Sequence, residues 1–204
     1  MLQFSNRRAD YGDTYTDAKQ RLVFSYVWQL PVGSGQRFLN RTGLLNGVLG
    51  GWNFSGIASF QTGFPITIFS SQDYSNTGSA SPRPDRLCNG TLSTRTVGEW
   101  FNTSCFSTVA LEDALAAGSP RWGTSGRNIL TGPGSNNWDL ALLKDWKLTE
   151  RFKLQFRAES YDVTNNPHFA APNTTVGSPF IGQISSASSL GVPRDIQFGL
   201  KLSF

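Results

Sequence analysis

Charge is scarce in this chain. Only 16% of its 204 residues are Asp, Glu, Lys or Arg, against about 25% in an ordinary globular protein. The formal net charge of +4 is spread thinly, and Arg7-Arg8 is the densest basic pair. Nucleic-acid binding therefore has no electrostatic footing. One histidine and two cysteines are too few for a four-ligand zinc centre of the usual kind. No uninterrupted apolar run of about 18 residues occurs, which excludes a helical membrane span. The 21 Gly and 10 Pro, with many Thr and Asn, disfavour a long helical bundle. Residues 1–8 lack the apolar segment of a secretory leader. That leaves a cytosolic protein or the back end of a longer gene.

What the chain does have is aromatic surface: 13% of residues, including 15 Phe and 6 Trp. That is too much to leave solvated in a disordered chain. The aromatics fall into alternating runs, the mark of a strand whose two faces see different surroundings. The first run carries Leu22, Phe24, Tyr26, Trp28 and Leu30 on one face and Arg21, Ser25 and Gln29 on the other. In the second, Trp52, Phe54, Gly56, Ala58 and Phe60 oppose Asn53, Ser55, Ser59 and Gln61. In the third, Trp138, Leu140, Leu142 and Trp146 oppose Asp139 and Asp145, with Lys144 as an exception on the apolar side. In the fourth, Phe152, Leu154, Phe156 and Ala158 oppose Lys153, Gln155, Arg157 and Glu159. The last is the cleanest: Ile196, Phe198, Leu200, Leu202 and Phe204 against Asp195, Gln197, Lys201 and Ser203.

Each run predicts a strand of about ten residues, longer than the usual mode of about 5–6. Ten residues tilted by about 40° rise some 26 Å, close to the apolar band of about 25 Å on an outer-membrane barrel. The connections alternate: 31–51, a long 63–136, a tight 147–151 and a long 163–194. Short turns at one end and long loops at the other are the pattern of an up-and-down membrane barrel, the short turns facing the periplasm. Leu45, Val48 and Leu49 at helical spacing predict a short amphipathic piece in the first link, and Val109–Ala117, ended by Gly118 and Pro120, predicts a helix in the long loop. With strand ends set by these connections, Trp28, Trp52, Trp146, Phe152 and Phe204 gather at the short-turn rim, where an aromatic girdle belongs. The competing fold is a soluble β-sandwich, whose strands also alternate. It needs neither strands this long nor aromatics sorted to their ends. The fold class expected is thus all-β: an antiparallel up-and-down transmembrane barrel segment of about five strands.

Catalytic chemistry is missing. Glu112 and Asp113 are adjacent on the expected helix, so their side chains diverge. Asp139, Asp145 and Glu159 share the polar face with Lys153, Arg157 and Lys201, as residues lining a wet lumen would. His168, in Asn165-Asn166-Pro167-His168-Phe169, reads as a turn histidine without a nucleophile partner. Gly33-Ser34-Gly35 lacks the Lys-Ser/Thr of a phosphate loop. The sequons at Asn89, Asn102 and Asn173 carry no meaning without a glycosylating compartment. Neither an enzyme nor a bound cofactor is expected. Cys88 and Cys105 lie in a Gly/Ser/Thr/Asn-rich stretch. They are either a loop-closing disulfide, in an oxidising compartment, or two unrelated thiols.

Four stretches carry a resemblance: GWNFSGIASFQTGFPIT (51–67), SGRNILTGPGSNNWDLALLKDW (125–146), RFKLQFRAESYDVTNNPHF (151–169) and RDIQFGLKLSF (194–204). In order and spacing the chain resembles the C-terminal end of TonB-dependent outer-membrane receptors, in particular the Oar-like type with a carboxypeptidase-regulatory-like front domain. The resemblance implies a 22-stranded barrel with an N-terminal plug, powered through a TonB box. This chain would supply about the last five strands, as residues 20–204, with 1–19 as the tail of an extracellular loop and 63–136 and 163–194 as long extracellular loops. Its partners would be outer-membrane lipid, the remainder of the receptor (plug and other strands) and the barrel-assembly machinery, which would read Ile196, Phe198, Leu200, Leu202 and Phe204 as a last-strand signal. The TonB system would engage only through the N-terminal part. The implied role is uptake of a scarce ligand across the bacterial outer membrane. Alone, such a segment is expected to be inactive, because open sheet edges in hydrocarbon leave backbone groups unpaired at several kcal/mol each. The alternative function is a secreted β-sandwich module that binds glycans.

Overall fold

The computed structural model describes residues 7–40, 43–80, 82–188, 191 and 193–204. The first six residues of the 1–19 segment lie outside them. The chain divides into two compact units, one of residues 21–61, 135–168 and 190–204, the other of 1–20, 62–134 and 169–189.

The first unit is a sheet of five long strands: β1 (Arg21–Gln29), β2 (Trp52–Gln61), β3 (Ser135–Lys147), β4 (Lys153–Tyr161) and β5 (Asp195–Ser203). They pair in chain order, each neighbour antiparallel. One sheet forms, not two facing sheets, so the sandwich alternative is set aside. β3 is longer than expected, at 13 residues, because its pairing with the end of β2 continues back through Ser135-Asn136-Asn137, three polar residues that carry no alternation.

Register explains why the alternation could be read so directly. Leu22 pairs with Phe60, Phe54 with Leu142, Leu142 with Ala158 and Phe198 with Ala158. At every seam even numbers face even numbers. A slip of one residue anywhere would turn a whole strand over, and no seam slips. The apolar face therefore extends across all five strands, with Lys144 as its one charged member, stitched by ring pairs such as Phe60–Trp138 at 5.7 Å and Phe156–Phe198 at 6.2 Å. Gly56 fits the same scheme. The Tyr26 ring lies across it from the facing position on β1, so a methyl there would come within 2.6 Å of the Tyr26 hydroxyl.

The links at one end of the sheet are shorter than those at the other, although the one between β1 and β2 is longer than a simple turn. Between β3 and β4, the Leu148 and Thr149 amides donate to the Phe152 carbonyl, while Thr149 Oγ1 accepts from the Phe152 amide at 3.1 Å, a hydroxyl-closed turn. Between β1 and β2, the link holds helix α1 (Leu44–Leu49). Asn46 Oδ1 accepts from the Ser34 amide at 2.7 Å, and the backbone of Gly33 approaches that of Gly50 so closely that a side chain at either would collide.

The second unit is irregular, with three two-residue strand pairs (65–66 with 130–131, 69–70 with 175–176, 85–86 with 106–107) and helix α2 (Val109–Ala116). Its core is Ile68, Phe101, Cys105, Phe106, Leu130 and Val176, and Cys88 is disulfide-bonded to Cys105. Residues 7–20 fold with this unit: Arg83, largely buried, donates to Asp10 Oδ1 at 2.8 Å and to the Ala9 carbonyl at 2.6 Å. A second bridge joins Arg121 to Asp85 at 2.6 Å. The guanidinium's hydrogen bonds, aided by the Thr124 amide, outweigh burial and hold the Asp85 carboxyl below its ordinary value. At Asp73, burial works upward but bonds from Ser75, Ser79 and Thr77 prevail, so its carboxyl is also lowered. Glu112 accepts from Thr108 Oγ1 at 2.7 Å, at the start of α2. Burial and this same Glu112 push the Tyr74 phenol up.

Candidate membrane-facing surface

Much of the apolar face of the sheet is open. Phe198 is 73% exposed and Leu200 69%, and Leu22, Phe24, Ile196 and Leu202 are also open. Monomeric soluble proteins rarely display a contiguous apolar patch of more than a few hundred Å². The opposite face is polar. Arg157 Nη2 donates to Glu159 at 2.7 Å, Gln197 donates to Glu159 at 2.6 Å and to the Tyr161 hydroxyl at 3.2 Å, and Gln155 donates to Asp145 at 2.9 Å. Such ladders of mutually bonded polar groups, exposed at Arg157, Gln197 and Asp145, suit contact with water. A shallow groove of about 430 Å³ crosses this face between Ser25, Ser55, Ile57, Asp139 and Glu159. Val27 and Ile57, both exposed on it, make the polar face less uniform than the alternation implied.

Antiparallel order puts the N-terminal ends of β1, β3 and β5 and the C-terminal ends of β2 and β4 at one end of the sheet. Trp28, Trp52, Trp146, Phe152 and the terminal Phe204 lie at the other, the end with the short links. Trp28, Phe152 and Phe204 are open there, and the rings of Phe152 and Phe204 meet at 6.4 Å. Trp52 and Trp146 are only half-exposed, because α1 lies against them.

That contact resolves the one break in the alternation. Lys144 stands on the apolar face opposite Trp52 and Phe156, yet it is 1% exposed. Its Nζ donates to the Val48 carbonyl at 2.7 Å and to the Gly50 carbonyl at 2.6 Å, and it sits 5.0 Å from the Trp52 ring centre and 5.2 Å from that of Trp146. The Trp52 ring N–H donates to the Val48 carbonyl and the Trp146 ring N–H to that of Gly47. The last turn of any helix has carbonyls without partners in the helix and a partial negative charge. Here one ammonium and two indoles satisfy those of Gly47 and Val48, and the ammonium that of Gly50 as well. Neither the alternation nor the helical spacing alone exposed this clamp; the signal was a cation on an apolar face beside two Trp, near a link with no carboxylate.

His168 is also better held than a free turn residue. Its Nε2 lies 3.6 Å from Oδ2 of Asp162, which is 1% exposed. Asp162 takes a positive φ of 42°, accepts from Thr164 Oγ1 and the Asn166 amide, and donates its own amide to Asp139 Oδ1 at 3.0 Å. The group ties the end of β4 to the following turn. Among the described residues no cluster of three or more His, Cys, Asp or Glu could hold a metal ion, and no helix is long and apolar enough to cross a membrane.

Residues 1–197 match the family profile of an outer membrane beta barrel domain. No curated protein matches the chain, and no solved structure does.

Proposed function

The chain belongs to the outer membrane beta barrel domain family and is a bacterial outer-membrane protein, and from that premise we propose that it forms the C-terminal wall of a TonB-dependent receptor of the Oar-like type. In this reading the apolar face meets lipid tails and the polar face looks into the lumen. The loop unit, reached by the chain only from the end opposite the short links, is extracellular and helps capture a scarce ligand. The chain performs no catalysis. Its plug and remaining strands belong to the same receptor, the TonB system acts through that plug, and the β5 pattern from Ile196 to Phe204 is the stretch that the assembly machinery reads.

One observation carries the proposal. The sheet has an apolar face that extends over all five strands and two open edges, β1 and β5, which run parallel to each other because the strand number is odd. In hydrocarbon every unpaired edge group costs several kcal/mol, so such a sheet is stable only when further strands complete it. Photo-crosslinking tests this. A benzophenone residue replacing Lys201 on the lumenal face, introduced in the native bacterium, is expected to capture a plug domain, and the crosslinked protein should be heat-modifiable on gels. A heat-modifiable outer-membrane protein that captures no plug would remove the receptor reading. A chain that is soluble and folded in plain buffer would remove the wall as well.

A further inference from the structure

A helix packed on a sheet normally buries its apolar stripe against it. α1 does the reverse. It is fastened by its carbonyls at Gly47 and Val48, together with that of Gly50, to Trp146, Trp52 and Lys144. Leu44, Leu45, Val48 and Leu49, spaced as one stripe along a helix, point away from it. Leu44 is 92% exposed, and the other three are half-exposed or more. Half or more of each of these side chains is left uncovered by the protein, yet the helix is held firmly enough to bury a lysine.

We propose that α1 is an interfacial membrane anchor, lying in the plane of the bilayer at the short-link rim with this stripe among phospholipid acyl chains. Two observations select lipid as the occupant. The helix is held on the apolar face of the sheet by Trp52 and Trp146, residues suited to the headgroup boundary. The link from 30 to 51 also contains two arginines, Arg37 and Arg41, and no carboxylate. Arg37 is exposed and stacked over the exposed Phe38 at 5.5 Å. Apolar stripe and cations together are the composition of an interfacial helix that prefers anionic headgroups. The leaflet is the periplasmic one if the short links face the periplasm, and to that extent the inference rests on the function proposed above.

The test places an NBD fluorophore on Leu45→Cys, or on Leu200→Cys of β5 as a control, with the gene edited at its own locus. Outer-membrane vesicles are then fused with liposomes carrying nitroxide-labelled phosphatidylglycerol. The Leu45 probe should be quenched by lipid at a depth of about 5–10 Å into the boundary, and the Leu200 probe more deeply. Adding Leu44→Ser and Val48→Ser should abolish quenching at 45 and leave it at 200. Quenching at 200 with none at 45, or quenching at 45 that survives the two serines, overturns the anchor while the lipid-facing wall stands. Loss of quenching at both positions overturns the wall and the anchor together. An identical depth in phosphatidylcholine liposomes would overturn the preference for anionic headgroups.

Discussion

Replacing Lys144 with methionine keeps an unbranched stem of similar length and deletes the ammonium. Two hydrogen bonds disappear, at 2.7 and 2.6 Å, with the contacts to both indoles. Bonds to a charged donor are worth about 1.5–3 kcal/mol each, and two cation–π contacts add about 0.5–1 kcal/mol apiece. Against this stands the desolvation of the ammonium, several kcal/mol, which the methionine does not incur. The gross terms nearly cancel. What decides the sign is the carbonyl left behind: Val48 keeps the Trp52 N–H, but Gly50 loses its lysine donor in a buried position, a cost of about 1–3 kcal/mol. We therefore expect α1 to undock about 2 kcal/mol more easily, roughly a 30-fold change in its opening equilibrium. Hydrogen exchange at the Gly47 and Gly50 amides, which close the helix onto Gly43 and Asn46, should accelerate by about that factor, while β4–β5 amides are unchanged. Lys144→Gln, which retains donors, should fall between. If the methionine variant exchanges at the native rate or more slowly, the buried charge is a net burden and α1 is held by its indole bonds alone.

Cutting the Cys88–Cys105 bridge with a double serine substitution frees a loop of 17 positions, so the loop unit should lose about 3 kcal/mol, read as earlier proteolysis within 62–134 on mild heating. Arg121→Gln removes the main cause of the lowered Asp85 carboxyl. Because that carboxyl is lowered in the folded state, its contribution is present above its ordinary value and vanishes as pH falls through the lowered one. The variant should thus show the loop unit opening at higher pH on acid titration followed by tryptophan fluorescence, modestly so since Arg121 is 41% exposed. Phe198→Arg, mid-strand on the apolar face, should cost about 2–4 kcal/mol, seen as loss of the heat-modifiable form at lower urea. Lys201→Gln on the other face should stay within about 0.5 kcal/mol, and equal damage from both would contradict the assignment of faces.

The five strands were legible because a strand's pattern is local and each seam keeps parity, so a ten-residue window already contains the relevant physics. α1 and α2 were legible for the same reason, their spacing being local too. The loop unit was not, since what holds it is distant in the chain: Arg83 reaches back to Asp10 across 73 positions, and Asp85 meets Arg121 across 36. His168 was legible as a turn residue, but its approach to Asp162 depends on a left-handed backbone at a non-glycine position, which no spacing rule announces.

Lys144 lies between these cases. Its mismatch with the surrounding strand is visible in ten residues, whereas its resolution lies some 94 positions away, at the carbonyl of Gly50. A cation on an apolar face must find partners or not be charged. In a face that meets lipid, water is not available, so the partners must come from the protein itself. The nearest supply of unsatisfied acceptors is the end of a helix, and the link that enters the next strand, at Trp52, carries one. On this argument the odd residue and the short helix are one feature. The helix covers the charge, the charge fixes the helix, and the fixed helix is left with its leucines turned toward the bilayer.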